Sequence, residues 1–419
     1  MKIAILHDNF PPRSIGGADI IAFNVARALQ KRGHEIIVIT ASRNADDEGV
    51  IEYEGLRIHT IVTSPSARFR AWVSLWNPRV VRQVRALLAE FKPDVVHAHN
   101  VHAYLSYRAL SVAKKLDAHV VLTCHDVLSF NYTKLTDFIN PSDLSIPKTF
   151  NYRVSPWRQL KKNRFRYNPF RNLFIRRVLR NSVNQVVAVS DALKQALNDN
   201  GIGNVRVIHN GIDVSEWEEE AANVLEFKKK HDVGDAAILY GGRLSDVKGG
   251  AKIIEALAQI SRSVPSAQLL VVGQKDAYSE RMLEYAKTLG VGDNIIFTGW
   301  VSGRALHCAY HVSSVVAVPS LCFDSLPTMI LEGMACRKPV VSTCFGGSRE
   351  AVEDGTTGYI VNPYDVKMMA GKIEELLRDK EKNNRFGNAG YERVLRDFSL
   401  KKQTEEYEQV FSAVSRKNA

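Results

Sequence analysis

The chain has no long apolar run, no Asp-x-Asp, no Cys-x-x-Cys and, from Leu144 to Ser190, not one Asp or Glu. Each absence excludes something. No stretch approaches the ~18–20 apolar residues that span a bilayer, so a soluble chain is expected. Without Asp-x-Asp, a metal held by that motif is excluded. The five cysteines (124, 308, 322, 336 and 344) are odd in number and irregular in spacing. That pattern argues against a disulfide framework or zinc site and for reduced thiols in the cytoplasm. Cys322, beside Asp324, is open to two readings, a reactive thiol or a small buried filler. Met1–His7 enters a strand pattern at once, so no signal peptide is expected.

What residues 144–190 hold instead of acid is base. Eleven Lys and Arg lie there, an excess equal to the net charge of +11 for all 419 residues. Among them are Arg171, Arg176, Arg177 and Arg180, interspersed with Phe170, Leu173, Phe174 and Val178 on one helical face. A basic helix with an aromatic face suits an anionic membrane surface or a diphosphate-lipid acceptor. The alternative is a helix that packs its apolar face on its own domain and solvates only its arginines. No motif for nucleic acid, such as aromatic platforms along a groove, is present.

A chain of this length exceeds one usual hydrophobic core, so two domains are expected. Strand patterns near 3–7, 35–40, 57–62, 94–98, 119–124 and 185–189 alternate with helical ones near 17–32, 79–91, 103–116, 170–181 and 191–199. A second series follows Asn210-Gly211, with strands near 237–241, 268–272, 294–298, 314–318 and 339–342. The tail from about 363 to 417 is helical and charged. Short, continuously apolar strands alternating with helices mean parallel sheets covered on both faces. The fold class is α/β, two doubly wound, Rossmann-like domains with their ligand crevices at the carboxyl ends of the strands.

Two stretches carry candidate chemistry. Val315–Val318 reads as a buried strand; after it come Ser320, Asp324, Ser325, Leu326 and Pro327, opening a helix that contains Glu332. The amides of Ser325, Leu326 and Thr328 at a helix start favour an anion, and Asp324 and Glu332 flank that position. Together they fit a phosphorylated sugar; an ordinary loop with an Asp cap would read the same way. The other stretch is Tyr240-Gly-Gly-Arg243-Leu-Ser-Asp-Val-Lys248-Gly249-Gly250. It is neither a Walker loop nor Gly-x-Gly-x-x-Gly. Its glycines permit close backbone approach, and an Arg fork with a Lys point charge would neutralise a diphosphate. Solvated cations on a turn are the alternative.

Together these stretches resemble the donor-phosphate motifs of retaining GT-B glycosyltransferases of the large group 1 class, family 4. The resemblance runs nearly end to end. Gly16-Gly17-Ala, Asp94-Val-Val-His-Ala-His99, Thr123-Cys-His-Asp126, Val187–Ser190 and Val207–Asp213 match further landmarks in order. It implies two domains facing across a cleft: an acceptor domain, 1–212, a donor domain, 213–395, and a C-terminal helix, 396–419, returning to the first. It also implies that Arg243 and Lys248 bind the donor diphosphate and that Glu332 holds the ribose hydroxyls. Asp324 stands where the family usually has Glu, next to the donor sugar, which leaves the sugar identity open. Gly16 and Gly17 would approach the donor phosphate or sugar, and His125 the reacting carbon. Without the motifs, His125 reads as a satisfied histidine ending a strand. Trp300 would lie near the base, or pack in the core. The implied reaction uses a UDP-, GDP- or ADP-sugar donor, a saccharide or lipid-linked acceptor, no cofactor and no metal. From the basic segment, a cytoplasmic chain peripheral on the inner face of the cell membrane is expected, with an acceptor in cell-envelope or exopolysaccharide synthesis. A soluble sugar-to-sugar transferase and a non-catalytic nucleotide-sugar-binding protein are the other readings.

Overall fold

Short apolar segments form the strands, and amphipathic helices close over their faces. The computed structural model describes residues 1–14, 16–242 and 244–416. The chain forms two compact units: Met1–Leu135 with Asn151–Asn210 and Leu400–Ala419, and Thr136–Phe150 with Gly211–Ser399.

The first unit is built on β1 (Lys2–Leu6), β2 (Glu35–Ser42), β3 (Gly49–Tyr53), β4 (Leu56–Val62), β5 (Val95–Ala98), β6 (His119–Cys124), β7 (Gln185–Ala188) and β8 (Val205–Val207). Their spatial order is β3-β4-β2-β1-β5-β6-β7-β8. All pair in parallel except the edge strand β3, antiparallel to β4. The strand β3 is absent from the strand patterns of the sequence. Its signal was the two-residue turn Glu54-Gly55, both at positive φ (50° and 79°), a hairpin geometry. The helix expected over 103–116 starts only at Arg108. The Asp8 carboxylate takes the amides of Ala103, Tyr104 and Leu105 instead, holding them as loop. The last helix, Leu400–Arg416, sends Tyr407, Val410, Phe411 and Val414 into the core formed by Ile3, Ile5, Val95, Val121 and Val187.

The second unit carries β9 (Ala237–Gly241), β10 (Gln268–Val272), β11 (Ile295–Gly299), β12 (Val315–Val318), β13 (Val340–Thr343) and β14 (Gly358–Val361). The order is β11-β10-β9-β12-β13-β14, parallel throughout. Strand order reverses between β9 and β12, which makes their carboxyl ends the switch point where a doubly wound sheet leaves a crevice. The charged tail divides into Val366–Arg378, Lys380–Asp397 and Leu400–Arg416 rather than running on. Asp379 ends one helix and caps the next by accepting from the Lys382 amide.

Residues 136–150, which the sequence reading assigned to the first domain, belong to the second unit. Phe138 and Phe150 pack edge-on, 5.2 Å between centroids, and both meet Phe345, at 5.9 and 5.8 Å. Phe138 also meets Phe323. Asn362 Nδ2 donates to the carbonyls of Asp143 and Ser145, each at 2.8 Å. The anchor thus grips the residue before Asp324 and the residue before Gly346, the backbone partner of Asp324.

Candidate functional site

In the second unit, the turn after β9 reaches the loop after β12 by backbone contact. Gly249 sits at φ +79°, and an added Cβ would lie 2.0 Å from the Pro319 carbonyl oxygen. Glycine is required there by both conformation and space. The Leu321 amide donates to the Val247 carbonyl (2.9 Å), fixing the two loops side by side. That contact brings Lys248 Nζ to 2.5 Å from Asp324 Oδ2, to which Ser320 Oγ also donates at 2.8 Å. The lysine side chain is 36% exposed and the Asp324 side chain 14%. Burial pulls the amine down, but the adjacent carboxylate outweighs it, and the net shift is upward. Lys248 is therefore a held, charged ammonium at the switch point.

Asp324 is fixed from behind as well. It bridges to Gly346, and the Gly347 amide donates to its carbonyl at 2.9 Å. The helix that follows begins at Thr328, with Pro327 as an extended cap rather than inside the first turn. Ser325 and Leu326 are buried, at 6% and 4% exposure. Glu332, one turn into the helix, accepts from the buried Tyr310 hydroxyl. Burial raises its pKa, while the hydroxyls of Tyr310 and Thr328 oppose the rise. Trp300, 51% exposed in the turn after β11, is not core packing.

In the first unit, the ends of β1, β5 and β6 carry a group of histidines that the sequence reading reduced to His125. His99 Nδ1 and His125 Nε2 share a hydrogen bond of 2.9 Å with rings stacked at 5.2 Å. His97 bonds Thr123 (2.9 Å), which bonds the Tyr407 hydroxyl (3.0 Å). His7 lies 5.8 Å from the His99 ring and 3.6 Å from Asp19. Burial holds His125 down to about 4 and His97 to about 3, and depresses His7 and His99 well below the usual value. All four are neutral at pH 7. The missed signal was His-Ala-His: residues i and i+2 on a strand share a face. Gly16 caps the helix Gly17–Lys31, and its amide donates to Asp19 Oδ2 (3.1 Å).

A chain with two doubly wound sheets and these loops matches known families along most of its length. Glycosyltransferase Family 4 matches residues 15–216, and Glycosyl transferases group 1 matches 223–393. The chain is a glycosyltransferase of group 1, family 4.

A glycogen synthase of Mycobacterium tuberculosis is 24% identical to it over 431 residues, covering 99% of this chain and 95% of the relative. A sulfoquinovosyl transferase of Arabidopsis thaliana is 25% identical over 93% of this chain and 69% of its own. Among solved structures, sucrose-phosphate synthase from Thermosynechococcus elongatus superposes with a TM-score of 0.76 at 21% identity, covering 98% and 99% of the two chains. Anabaena HepE in complex with UDP-glucose gives 0.73 at 19%, covering 99% and 100%. The fold of this glycosyltransferase is GT-B.

The structure sorts the remaining candidates. Lys248 and Asp324 are brought together, and Glu332 lies one turn into the helix that follows the Asp324 loop. Arg243 lies outside the described residues. The four arginines expected on a membrane or acceptor face do not act as a set. Arg171 is 2% exposed, with its guanidinium donating to the Leu128 carbonyl. Arg176 lies over Gly201. Only Arg177 and Arg180 are exposed. The apolar face divides too, with Val178 buried but Phe170 and Leu173 outside at 69% and 61%. Cys322 is fully buried, the filler reading. Among the described residues no helix is long and apolar enough to cross a membrane.

Proposed function

We propose that this glycosyltransferase moves a hexosyl group from a nucleotide-diphosphate sugar to a saccharide or lipid-linked acceptor, retaining anomeric configuration and using no metal. The observation that carries the reading is Lys248 held by Asp324 at the switch point of the second sheet. Breaking the glycosyl–phosphate bond leaves a diphosphate anion, and a fixed ammonium in a low-dielectric crevice stabilises that charge as it forms. Arg243 is assigned beside it. In this reading Asp324 anchors the lysine and accepts from a donor-sugar hydroxyl, Glu332 accepts from the ribose hydroxyls, and Trp300 offers its exposed face to the base. Gly16 and Gly17 are assigned to the donor phosphate or sugar, and His125 to the reacting carbon. The acceptor hydroxyl forms the new bond to the anomeric carbon on the face the phosphate leaves, and its proton passes to that phosphate. No protein nucleophile is needed.

Relatives support both acceptor classes. One is a glycogen synthase, and another, 30% identical over 44% of this chain, is a GDP-mannose-dependent phosphatidylinositol monomannoside mannosyltransferase of M. tuberculosis. The basic segment favours the lipid-linked class, in envelope or exopolysaccharide synthesis at the cytoplasmic face of a membrane. The test is a thermal-shift panel of UDP, GDP, ADP and their sugars, followed by transfer assays with and without chelator. One nucleotide should raise the melting temperature by mass action, and transfer should proceed with chelator present and keep the donor's anomeric configuration. Binding without transfer or slow hydrolysis of any donor would leave only a nucleotide-sugar-binding protein.

A further inference from the structure

Exposed aromatic side chains gather on one part of the first unit. Phe69, Trp72 and Trp76 are 54%, 50% and 60% exposed, and Trp157, Phe165 and Phe170 are 79%, 92% and 69% exposed. Three of the five tryptophans in the chain are in this group. Their elements are neighbours. Ala71, Tyr132 and Tyr167 form one small buried cluster with Leu160 packed against it. Arg70 donates to the Tyr132 carbonyl (2.8 Å), and the Tyr132 amide donates to the Gln159 side chain (2.8 Å). Trp72 is therefore next in chain to the cluster member Ala71, Trp157 one helical turn before Leu160, which packs against the cluster, and Phe165 two residues before the member Tyr167. Charge reinforces the patch. Residues 55–89, like 144–190, contain no Asp or Glu, and Arg68, Arg158, Lys161, Arg164 and Arg166 stand exposed around the rings.

We propose that this face, formed by Arg70–Val73, the helix Pro156–Asn163 and the turn Arg164–Arg166, docks on an anionic lipid bilayer and seats its aromatic side chains at the headgroup level. Side chains this large and this exposed mark an interaction surface. Trp and Phe with surrounding Lys and Arg are the chemistry of a bilayer interface: rings enter the boundary while long basic stems keep their charges with the phosphates. A second copy of the chain fits poorly, because a two-fold interface would set this basic patch against itself. The site differs from the arginine face of the helix Arg171–Ser182 expected from sequence, and only its biological purpose rests on the lipid-linked acceptor reading.

The experiment is flotation of the full chain with phosphatidylcholine vesicles, alone and with about a third phosphatidylglycerol. Binding should require the anionic lipid and weaken as salt is raised. Changing Trp157→Ser together with Phe165→Ser should lower partition about tenfold or more, and Arg158→Glu with Lys161→Glu should do the same. Melting temperature and UDP-induced stabilisation, measured on the same samples, should stay at the parent values, so loss of docking is separable from failure of the glycosyltransferase reading. Equal flotation on neutral and anionic vesicles, or unchanged flotation of both variants, overturns the proposal. So does a dimer, or retention on an oligonucleotide, that these changes abolish while vesicles bind nothing.

Discussion

Lys248 shows how a sequence motif gains meaning from its partner. Its position after the glycine turn was legible from Tyr240–Gly250. Its bond to Asp324 was not, because 76 residues separate them and only the order of β9 and β12 brings them together. Lys248→Ala is expected to lower kcat/KM by about 100-fold or more, the scale of losing one preorganised donor to a developing anion. It should also cost about 1 kcal/mol of stability, since a partly exposed pair contributes no more than that. Initial rates and a melting curve check both, and unchanged turnover would remove Lys248 from the chemistry. The histidines make a second residue-scale case. Folding lowers the His125 pKa to about 4 from an ordinary 6.5, so between those values the unfolded chain binds more protons. Stability should therefore rise with pH from about 4 to 6.5 and level off above, by about 1.4 kcal/mol per pH unit for each such histidine. Denaturant midpoints across that range measure it, and His97→Asn should flatten the slope by one histidine's share.

At the level of elements, hydrophobic period marked the buried strands because each is apolar on both faces. It failed where something other than burial sets the backbone. β3 is an exposed edge whose register comes from the Glu54-Gly55 turn, and 103–107 is loop because Asp8 claims its amides. The segment 136–150 escaped for a third reason: two phenylalanines twelve residues apart carry no periodic signal, yet they brace the loop of Asp324. Two tests follow at this scale. Gly249→Ala meets both a left-handed φ and the Pro319 carbonyl, and should destabilise by about 1–3 kcal/mol or more, read as a fall in melting temperature. Phe138→Ala should loosen the Asp324 loop, raising KM for the donor more than it lowers kcat. A KM equal to that of the parent would show that the anchor does not reach the site.

For the whole molecule, two Rossmann-like halves were readable from alternating strands and helices, and the family from ordered motifs. The assignment of chain to halves was only partly readable, since a short aromatic anchor and a terminal helix leave no boundary signal of their own. In the proposed function, the choice of sugar and base rests on the surroundings of Asp324 and Trp300, which no motif spells out. The nucleotide panel is expected to single out one base, and equal stabilisation by UDP, GDP and ADP would remove Trp300 as a discriminating contact. The terminal helix has a consequence for synthesis. Tyr407, Val410, Phe411 and Val414 complete an interior whose other walls are laid down from Ile3 onward, so the half begun first on the ribosome is the last to close. A message cut short before Leu400 would still encode every residue of the second sheet, while the first would emerge with a greasy trough along its flank and go to chaperones or aggregate.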